Sequence, residues 1–312
     1  MPLPFILIGA AVVAGGTGLF TGARGTMKIN EAKEIISKAE NKYYEKVHSL
    51  EESERNTKDV LENLGELNLN IWKSFNRFSI AFEKIKNKPK YSSNSNEKIS
   101  FSRNELEEIK KISITAVDVL SAGALTVGGT AIVCVSGMAV SSATLATLGG
   151  GALAAGGGGM ALGASVLTGA VAGPIIAVGG LLINAKGNDS IQKAYGVEKE
   201  VNETIDLMQS SLIYLGQLKE VSRKMETELK KLFVLYEKQV GILEYLVNKE
   251  TDFFMYSDEE KRIVDNNIML VKLLNKLTRV NLVEKINDKD VVQVGKVNVS
   301  VLESEKLRAN MH

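Results

Sequence analysis

The side chains that most often catalyse reactions or bind metals are scarce in this chain. It has two histidines, His48 and His312, and one cysteine, Cys134. Two histidines and one cysteine cannot supply the four ligands of a structural zinc site. His48 and Ser49 are neighbours, so on a helix their side chains point in different directions, and a solvated histidine is favoured over a catalytic base. We therefore predict no enzyme, with no catalytic residue, no cofactor, no metal site and no small-molecule substrate.

Phosphate binding is the other chemistry that the glycine-rich sequence could perform. A phosphate-binding loop ends in Gly-Lys-Ser or Gly-Lys-Thr, and residues 119–187 contain neither triplet. The runs GGGALA and GGGGMA match a loosened dinucleotide fingerprint, but no acidic residue follows before Asp189 to bind a ribose. Nucleotide binding is therefore disfavoured. The formal net charge of +1 and the lack of an arginine-rich stripe also argue against a nucleic-acid partner.

The glycines belong to a run of 67 residues, 119–185, that contains no Asp, Glu, Lys or Arg. A flexible linker would be polar, whereas these glycines lie among Leu, Val, Ile, Ala and Met. The run predicts an apolar helical hairpin, with helices at about 119–147 and 160–184 and a turn at 149–159. Each helix is long enough to cross about 30 Å of hydrocarbon.

Small residues at four-residue spacing would let helices in lipid approach one another closely. They recur in this run and also in the apolar N-terminal segment, residues 1–25. That segment lacks a basic residue before its apolar core, which favours an uncleaved segment over a secretory signal; an apolar helix buried in a soluble core is the alternative. Pro174 would kink the second hairpin helix. The residues predicted to insert or pack in the membrane are Ala10, Ala14, Gly18, Gly22, Ala139, Ala143, Gly151, Gly159, Gly163, Gly169, Gly173 and Pro174.

Two long amphipathic helices are predicted, at residues 26–88 and 186–250. In the first, apolar residues recur every seventh position with one polar exception, Thr57, which indicates a coiled-coil seam. The seam residues are Ile29, Ile36, Tyr43, Leu50, Leu64, Ile71, Phe78 and Ile85. The second helix has a similar pattern from Val201 to Val247, interrupted between Lys219 and Glu226. Two rods of matched length joined through a hairpin are expected to lie antiparallel.

Shorter segments complete the organisation. Residues 89–101 form a loop, and SRNE at 102–105 is a capping box that starts a helix, 102–118, leading into the hairpin. SDEE at 257–260 starts a helix in the C-terminal part, 251–312. The β-branched residues 291–301 suggest a small two-stranded element that turns at Gly295. The fold class is therefore all-α: long antiparallel helical rods, an apolar glycine-rich hairpin and a small C-terminal helical subdomain.

Basic residues flank the apolar segments on the side of the rods. Arg24 and Lys28 follow the N-terminal segment, Lys110 and Lys111 precede the hairpin, and Lys186 and Lys193 follow it. The positive-inside rule then predicts cytoplasmic rods on a bacterial membrane. A soluble or exported form that inserts on a trigger is the alternative.

Three stretches carry a resemblance to known proteins: LPFILIGAAVVAGG near the start, LGELNLNIWKSFNRFSIAFEKIKN at 64–87, and the glycine run. They resemble a widespread family of uncharacterised bacterial glycine-zipper-like helical membrane proteins with the same order of segments. The layout of long helices around an apolar head is also similar to that of α-helical pore-forming toxins of the cytolysin A and haemolysin BL type. The resemblance implies a membrane protein, and no activity is assigned to the family that could be carried over to this chain.

These observations predict a non-enzymatic protein that inserts its hairpin into a lipid bilayer. It would be oligomeric and would form a pore or remodel the bilayer. One alternative is an inner-membrane coiled-coil scaffold that recruits a helical partner in the cytoplasm. Another is a soluble helical bundle that hides the hairpin until it is triggered.

Overall fold

The computed structural model describes residues 23–88, 101–121, 188–286 and 289–309. Five α-helices lie in these ranges: α1 (Ala23–Lys84), α2 (Arg103–Ser121), α3 (Asn188–Lys249), α4 (Asp258–Leu277) and α5 (Val294–Ala309). Strands β1 (Val283–Ile286) and β2 (Lys289–Val292) form a two-stranded sheet, and a short 3-10 helix spans Phe253–Met255. The prediction of an all-α fold with long helices is confirmed.

The chain forms two compact units. Among the described residues, the first unit contains 23–56 of α1 and 188–216 of α3. The second unit contains 57–88, 101–121, 217–286 and 289–309. Each unit therefore holds a part of α1 packed against a part of α3.

In the first unit, α1 and α3 run parallel. A hydrophobic cluster joins Ala32, Ile36 and Ala39 on α1 to Ala194, Val197 and Val201 on α3. Further along both helices, Lys46 Nζ donates to Gln209 Oε1 at 3.0 Å. Since residue numbers rise together on the two helices, their directions are the same.

The second unit shows the same direction independently. Tyr236 donates its hydroxyl to the backbone oxygen of Ser74 at 3.0 Å, and Lys84 Nζ donates to Asn248 Oδ1 at 3.2 Å. Beyond both helices, the backbone of Lys86 pairs in a parallel bridge with Asp252. The prediction of antiparallel rods is therefore wrong.

Helix α2 runs in the opposite direction to α1 within the second unit. Its capping box is present as predicted, because Ser102 N donates to Glu105 Oε2 at 2.6 Å and Glu105 N donates to Ser102 Oγ at 3.2 Å. Lys110 pairs with Glu83, whereas Ser113, further along α2, donates to the backbone oxygen of Lys73, earlier on α1. Helix α2 is therefore the antiparallel partner of α1.

Aromatic side chains form much of the core of the second unit. Trp72, Phe75, Phe78 and Phe82 are all buried. The rings of Phe78 and Phe82 stack with centroids 5.2 Å apart, and Phe101 meets both edge-on. Trp72 Nε1 donates to Thr278 Oγ1 at 2.8 Å, so the indole N–H is satisfied inside the core.

Helix α4 begins at the second predicted capping box. Ser257 and Glu260 exchange both capping hydrogen bonds, and the backbone hydrogen bond from Ser257 holds the pKa of Glu260 below its ordinary value. Asn267 Nδ2 donates to the backbone oxygen of Gln239 at 3.0 Å, which fixes α4 beside α3.

The predicted β-element lies elsewhere. The strands are at 283–286 and 289–292, paired antiparallel from Val283 with Val292 to Ile286 with Lys289. Gly295, the predicted turn, lies inside α5. The β-branched residues that follow it are helical because α5 packs on the second unit through Val297 and Ser304, which are buried, so tertiary contacts override local β preference.

Candidate functional site

The residues predicted to insert into a membrane lie outside the described residues. This holds for all twelve: Ala10, Ala14, Gly18, Gly22, Ala139, Ala143, Gly151, Gly159, Gly163, Gly169, Gly173 and Pro174. Within the described ranges, no helix combines the length and the apolar composition needed to cross a bilayer. What the structure provides is the helical frame to which the apolar segments are attached.

Both apolar segments lead, at their C-terminal ends, into the same end of the α1 and α3 pair; the uncharged run begins inside α2, which ends at Ser121. The N-terminal segment leads into Ala23, the first residue of α1, and the uncharged run leads into Asn188, the first residue of α3. Because α1 and α3 are parallel in the first unit, their first residues lie at one end of the pair. This arrangement is the candidate functional site, and the sequence alone did not predict it.

Buried side chains pack α1 against α3 next to the candidate site. The cluster nearest to it contains three alanines, Ala32, Ala39 and Ala194, which let the two backbones approach closely. A second cluster follows, in which Leu50 packs with Met208 and Leu215. The apolar segments therefore join a continuous helix pair, held by buried side chains.

The predicted seam residues line the buried side of α1. Ile36, Leu50, Leu64, Ile71, Phe78 and Ile85 are buried, Tyr43 is half-buried, and the side chain of Ile29 is outside the described part of the chain. The polar exception Thr57 is also buried. The structure thus places the seven-residue repeat along the contact with the other helices.

A charged clamp joins α1 to α3 in the second unit. Arg77 donates to Glu237 Oε2 at 2.5 Å and to both carboxylate oxygens of Glu244, at 2.7 and 3.0 Å. The hydrogen bonds to Glu244 raise the pKa of Arg77 above its ordinary value. Next to the clamp, burial raises the pKa of the Tyr236 hydroxyl, so this group remains a neutral donor to Ser74.

Sequence reasoning missed this clamp, although the sequence carries a signal for it. Arg77 immediately precedes the seam residue Phe78, and Glu237 and Glu244 immediately follow the apolar residues Tyr236 and Leu243. Charges beside a seam commonly form interhelical ion pairs that fix register. The clamp therefore sets the alignment of α1 with α3 in the second unit.

We expect Arg77→Met to lower the free energy of unfolding of the second unit by about 1 kcal/mol, because a bidentate charged pair is lost but solvent screens it. Urea denaturation followed by the fluorescence of Trp72, the single tryptophan, measures the change. Lys58→Met is the matched control, since Lys58 pairs only with Glu62 on its own helix. An equal effect in the two variants would show that the clamp has no special role.

A groove of about 280 Å³ lies beside the clamp in the second unit. Its lining is Arg77, Ile80, Ala81, Lys84, Glu244, Val247 and Asn248. Among the described residues, Glu244 is the only carboxylate that lines the groove, and it is already paired with Arg77. No histidine, cysteine or hydroxyl group from the described part of the chain lines it.

Comparison with protein families, curated proteins and solved structures found no match to this chain. A function must therefore be inferred from the residues of the chain itself. In the described ranges, no three His, Cys, Asp or Glu side chains come together to hold a metal ion. His48 is exposed on α1, and the hydroxyl of its neighbour Ser49 donates to the backbone oxygen of Glu45.

Proposed function

We propose that this protein is a non-enzymatic membrane-inserting helical protein in which residues 119–185 enter the lipid bilayer. The observation that carries the proposal is the attachment of both apolar segments to one end of the parallel α1 and α3 pair. A bilayer at that end would receive both segments, while the charged outer faces of the helices stay in water. Arg24, Lys28 and Lys193 lie within the first two turns of the helices, where they suit an anionic membrane surface.

Several copies inserted together would line a pore or deform the bilayer. Sixteen glycines in the uncharged run support this part of the proposal, because glycine in a helix in water costs about 1 kcal/mol each, whereas close helix packing in lipid makes use of it. The long helix pair would hold the copies together or bind a helical partner.

Vesicle flotation of the full chain tests insertion, with Cys134 labelled by an environment-sensitive fluorophore. Cys134 is the single cysteine and lies in the uncharged run, so the label needs no substitution. We expect the protein to float with the vesicles and the fluorophore emission to shift to the blue. Protein that stays with the aqueous fraction at every lipid ratio would refute insertion.

A charge variant with a matched control sharpens this test. Ala139→Asp with Gly169→Asp places two carboxylates in the uncharged run, and each costs about 3 kcal/mol at the centre of a bilayer, so flotation should be lost. Val234→Asp adds a charge on the exposed face of α3, where Val234 is 71% exposed, and should float like the wild type. Release of a trapped dye is measured separately, and full binding without release would exclude a pore.

A membrane scaffold is the second candidate, favoured by the turn between α3 and α4. Phe254 and Met255 are 74% and 70% exposed there, although the turn is rigidly built. The carboxylate of Asp252 accepts a hydrogen bond from Phe254 N at 3.0 Å and another from Asn87 Nδ2 at 3.0 Å. A scaffold that recruits a protein partner would present apolar side chains in this way. Deleting 119–185 separates the two candidates, since a scaffold keeps its protein partner whereas a pore-forming protein loses all dye release.

A further inference from the structure

The C-terminal helix, α5, covers the second unit but buries little apolar surface. Of its sixteen residues, Val297 and Ser304 are buried. Three large apolar side chains of α5, those of Val299, Leu302 and Leu307, are exposed. A helix held mainly by hydrophobic burial would show the opposite distribution, with its apolar stripe facing the core. Polar contacts must therefore supply much of what holds α5 in place.

The principal polar contact is a buried carboxylate on α3. The side chain of Glu228 is 1% exposed. It accepts a hydrogen bond from Ser304 Oγ at 2.8 Å and two from Arg308, from Nε at 3.3 Å and from Nη2 at 3.4 Å. Lys231, one turn along α3, lies 3.7 Å away. Two residues of α5 thus provide the hydrogen bonds that satisfy Glu228.

Removing the hydrogen-bond partners of Glu228 has a different energetic cost from detaching α5 as a whole. If the partners of Glu228 are removed while α5 stays in place, a carboxylate is left buried without its hydrogen bonds, which is strongly unfavourable. If α5 leaves as a whole, water reaches Glu228, and Lys231 stays beside it. The remaining charged contacts of α5, Lys276 with Glu303 and Lys296 with Glu284, are exposed pairs that contribute little.

The first half of α5 is also a poor helix by its own sequence. Residues 294–301, VGKVNVSV, contain four valines, a glycine, an asparagine and a serine. Beta-branched residues and glycine disfavour the helix, so this stretch needs its contacts with the second unit to stay helical. Local preference and observed structure disagree here, as is expected at functional or strained sites.

We infer that α5 is a releasable strap on the second unit, docked and helical while Ser304 and Arg308 pair with Glu228. When these hydrogen bonds break, α5 detaches and its first half loses helical structure, while α3 and α4 remain folded. Release of α5 would expose one face of the second unit while the rest of the unit stays folded. This inference does not depend on membrane insertion.

Hydrogen exchange of the full chain, followed by mass spectrometry, tests the strap. In the wild type, α5 amides should exchange faster than those of α3 and α4 in the second unit, because they open locally. Arg308→Met, which keeps the aliphatic stem, should speed exchange in α5 by about tenfold or more and leave α4 unchanged. Lys276→Met removes an exposed pair between α4 and α5 and should change α5 exchange by less than about twofold.

Two further variants keep the inference falsifiable if Arg308→Met disturbs folding. Ser304→Ala removes one hydrogen bond to Glu228 and should speed α5 exchange by several-fold. Glu228→Leu combined with Arg308→Leu replaces the buried pair by apolar side chains, and α5 should exchange more slowly in this double variant than in Arg308→Met. The strap is overturned if α5 exchanges in step with α3 and α4, or if Arg308→Met and Lys276→Met have equal effects.

Discussion

Replacing Phe78 by alanine is expected to destabilise the second unit by about 3 to 5 kcal/mol, the usual cost of deleting a buried phenylalanine. Phe78 is fully buried, and its ring contacts both Phe82 and Phe101. Its loss leaves a cavity where α1 meets the segment that leads into α2. Urea denaturation followed by Trp72 fluorescence measures the change, since Trp72 is buried in the same unit.

Ile80→Ala is the matched control, because Ile80 lies two residues further along the same helix but is 50% exposed. Its expected cost is about 1 kcal/mol or less, since exposed substitutions leave no cavity. Similar losses in Phe78→Ala and Ile80→Ala would mean that the seam does not form the core. A large difference would support the seven-residue repeat as the pattern that determines which side of α1 is buried.

Periodicity and capping residues were sufficient to predict helices α1 to α4. The stripe from Ile36 to Ile85 predicted α1 because one buried face recurs every seven residues. The starts of α2 and α4 were predicted because a Ser and a Glu three residues later satisfy each other's backbone donors. These signals are local, so they can be read without knowing the partner helix.

The direction of α3 could not be predicted, because a heptad stripe fits a parallel or an antiparallel neighbour equally well. The contacts that decide it lie between residues far apart in the sequence: Tyr236 donates to the backbone oxygen of Ser74, and Lys84 donates to Asn248. The sequence also predicted an interruption of the stripe on α3 between Lys219 and Glu226. There the buried residues are Val221, Ser222 and Met225, with Leu218 just before them.

For the candidate site, the sequence predicted the apolar segments but not their common attachment. That attachment follows from the parallel packing of α1 and α3, which sequence periodicity leaves open. In α5, local β preference predicted strands where buried Val297 and the bonds to Glu228 hold a helix. In both cases the missing information lies in tertiary contacts.

Crosslinking between pairs of introduced cysteines should show whether α1 and α3 are parallel, because each pair either forms a crosslink or does not. In a Cys134→Ala background, Lys84→Cys with Asn248→Cys should crosslink within one molecule through a short bifunctional thiol reagent, because their native side chains are in hydrogen-bond contact. Lys46→Cys with Gln209→Cys should do the same in the first unit. Mass spectrometry of the digested protein identifies each crosslink.

The control pair is Lys84→Cys with Glu220→Cys, which reports the opposite direction in the second unit. Glu220 is exposed on α3 and lies about 40 Å before Asn248 along the helix axis, beyond the reach of a short reagent. Crosslinking of the control pair, together with none at Lys84 and Asn248 and none at Lys46 and Gln209, would restore the antiparallel arrangement. The two apolar segments would then join opposite ends of the helix pair, and a single bilayer at one end could not receive both. The direction of α3 therefore decides whether the candidate site exists.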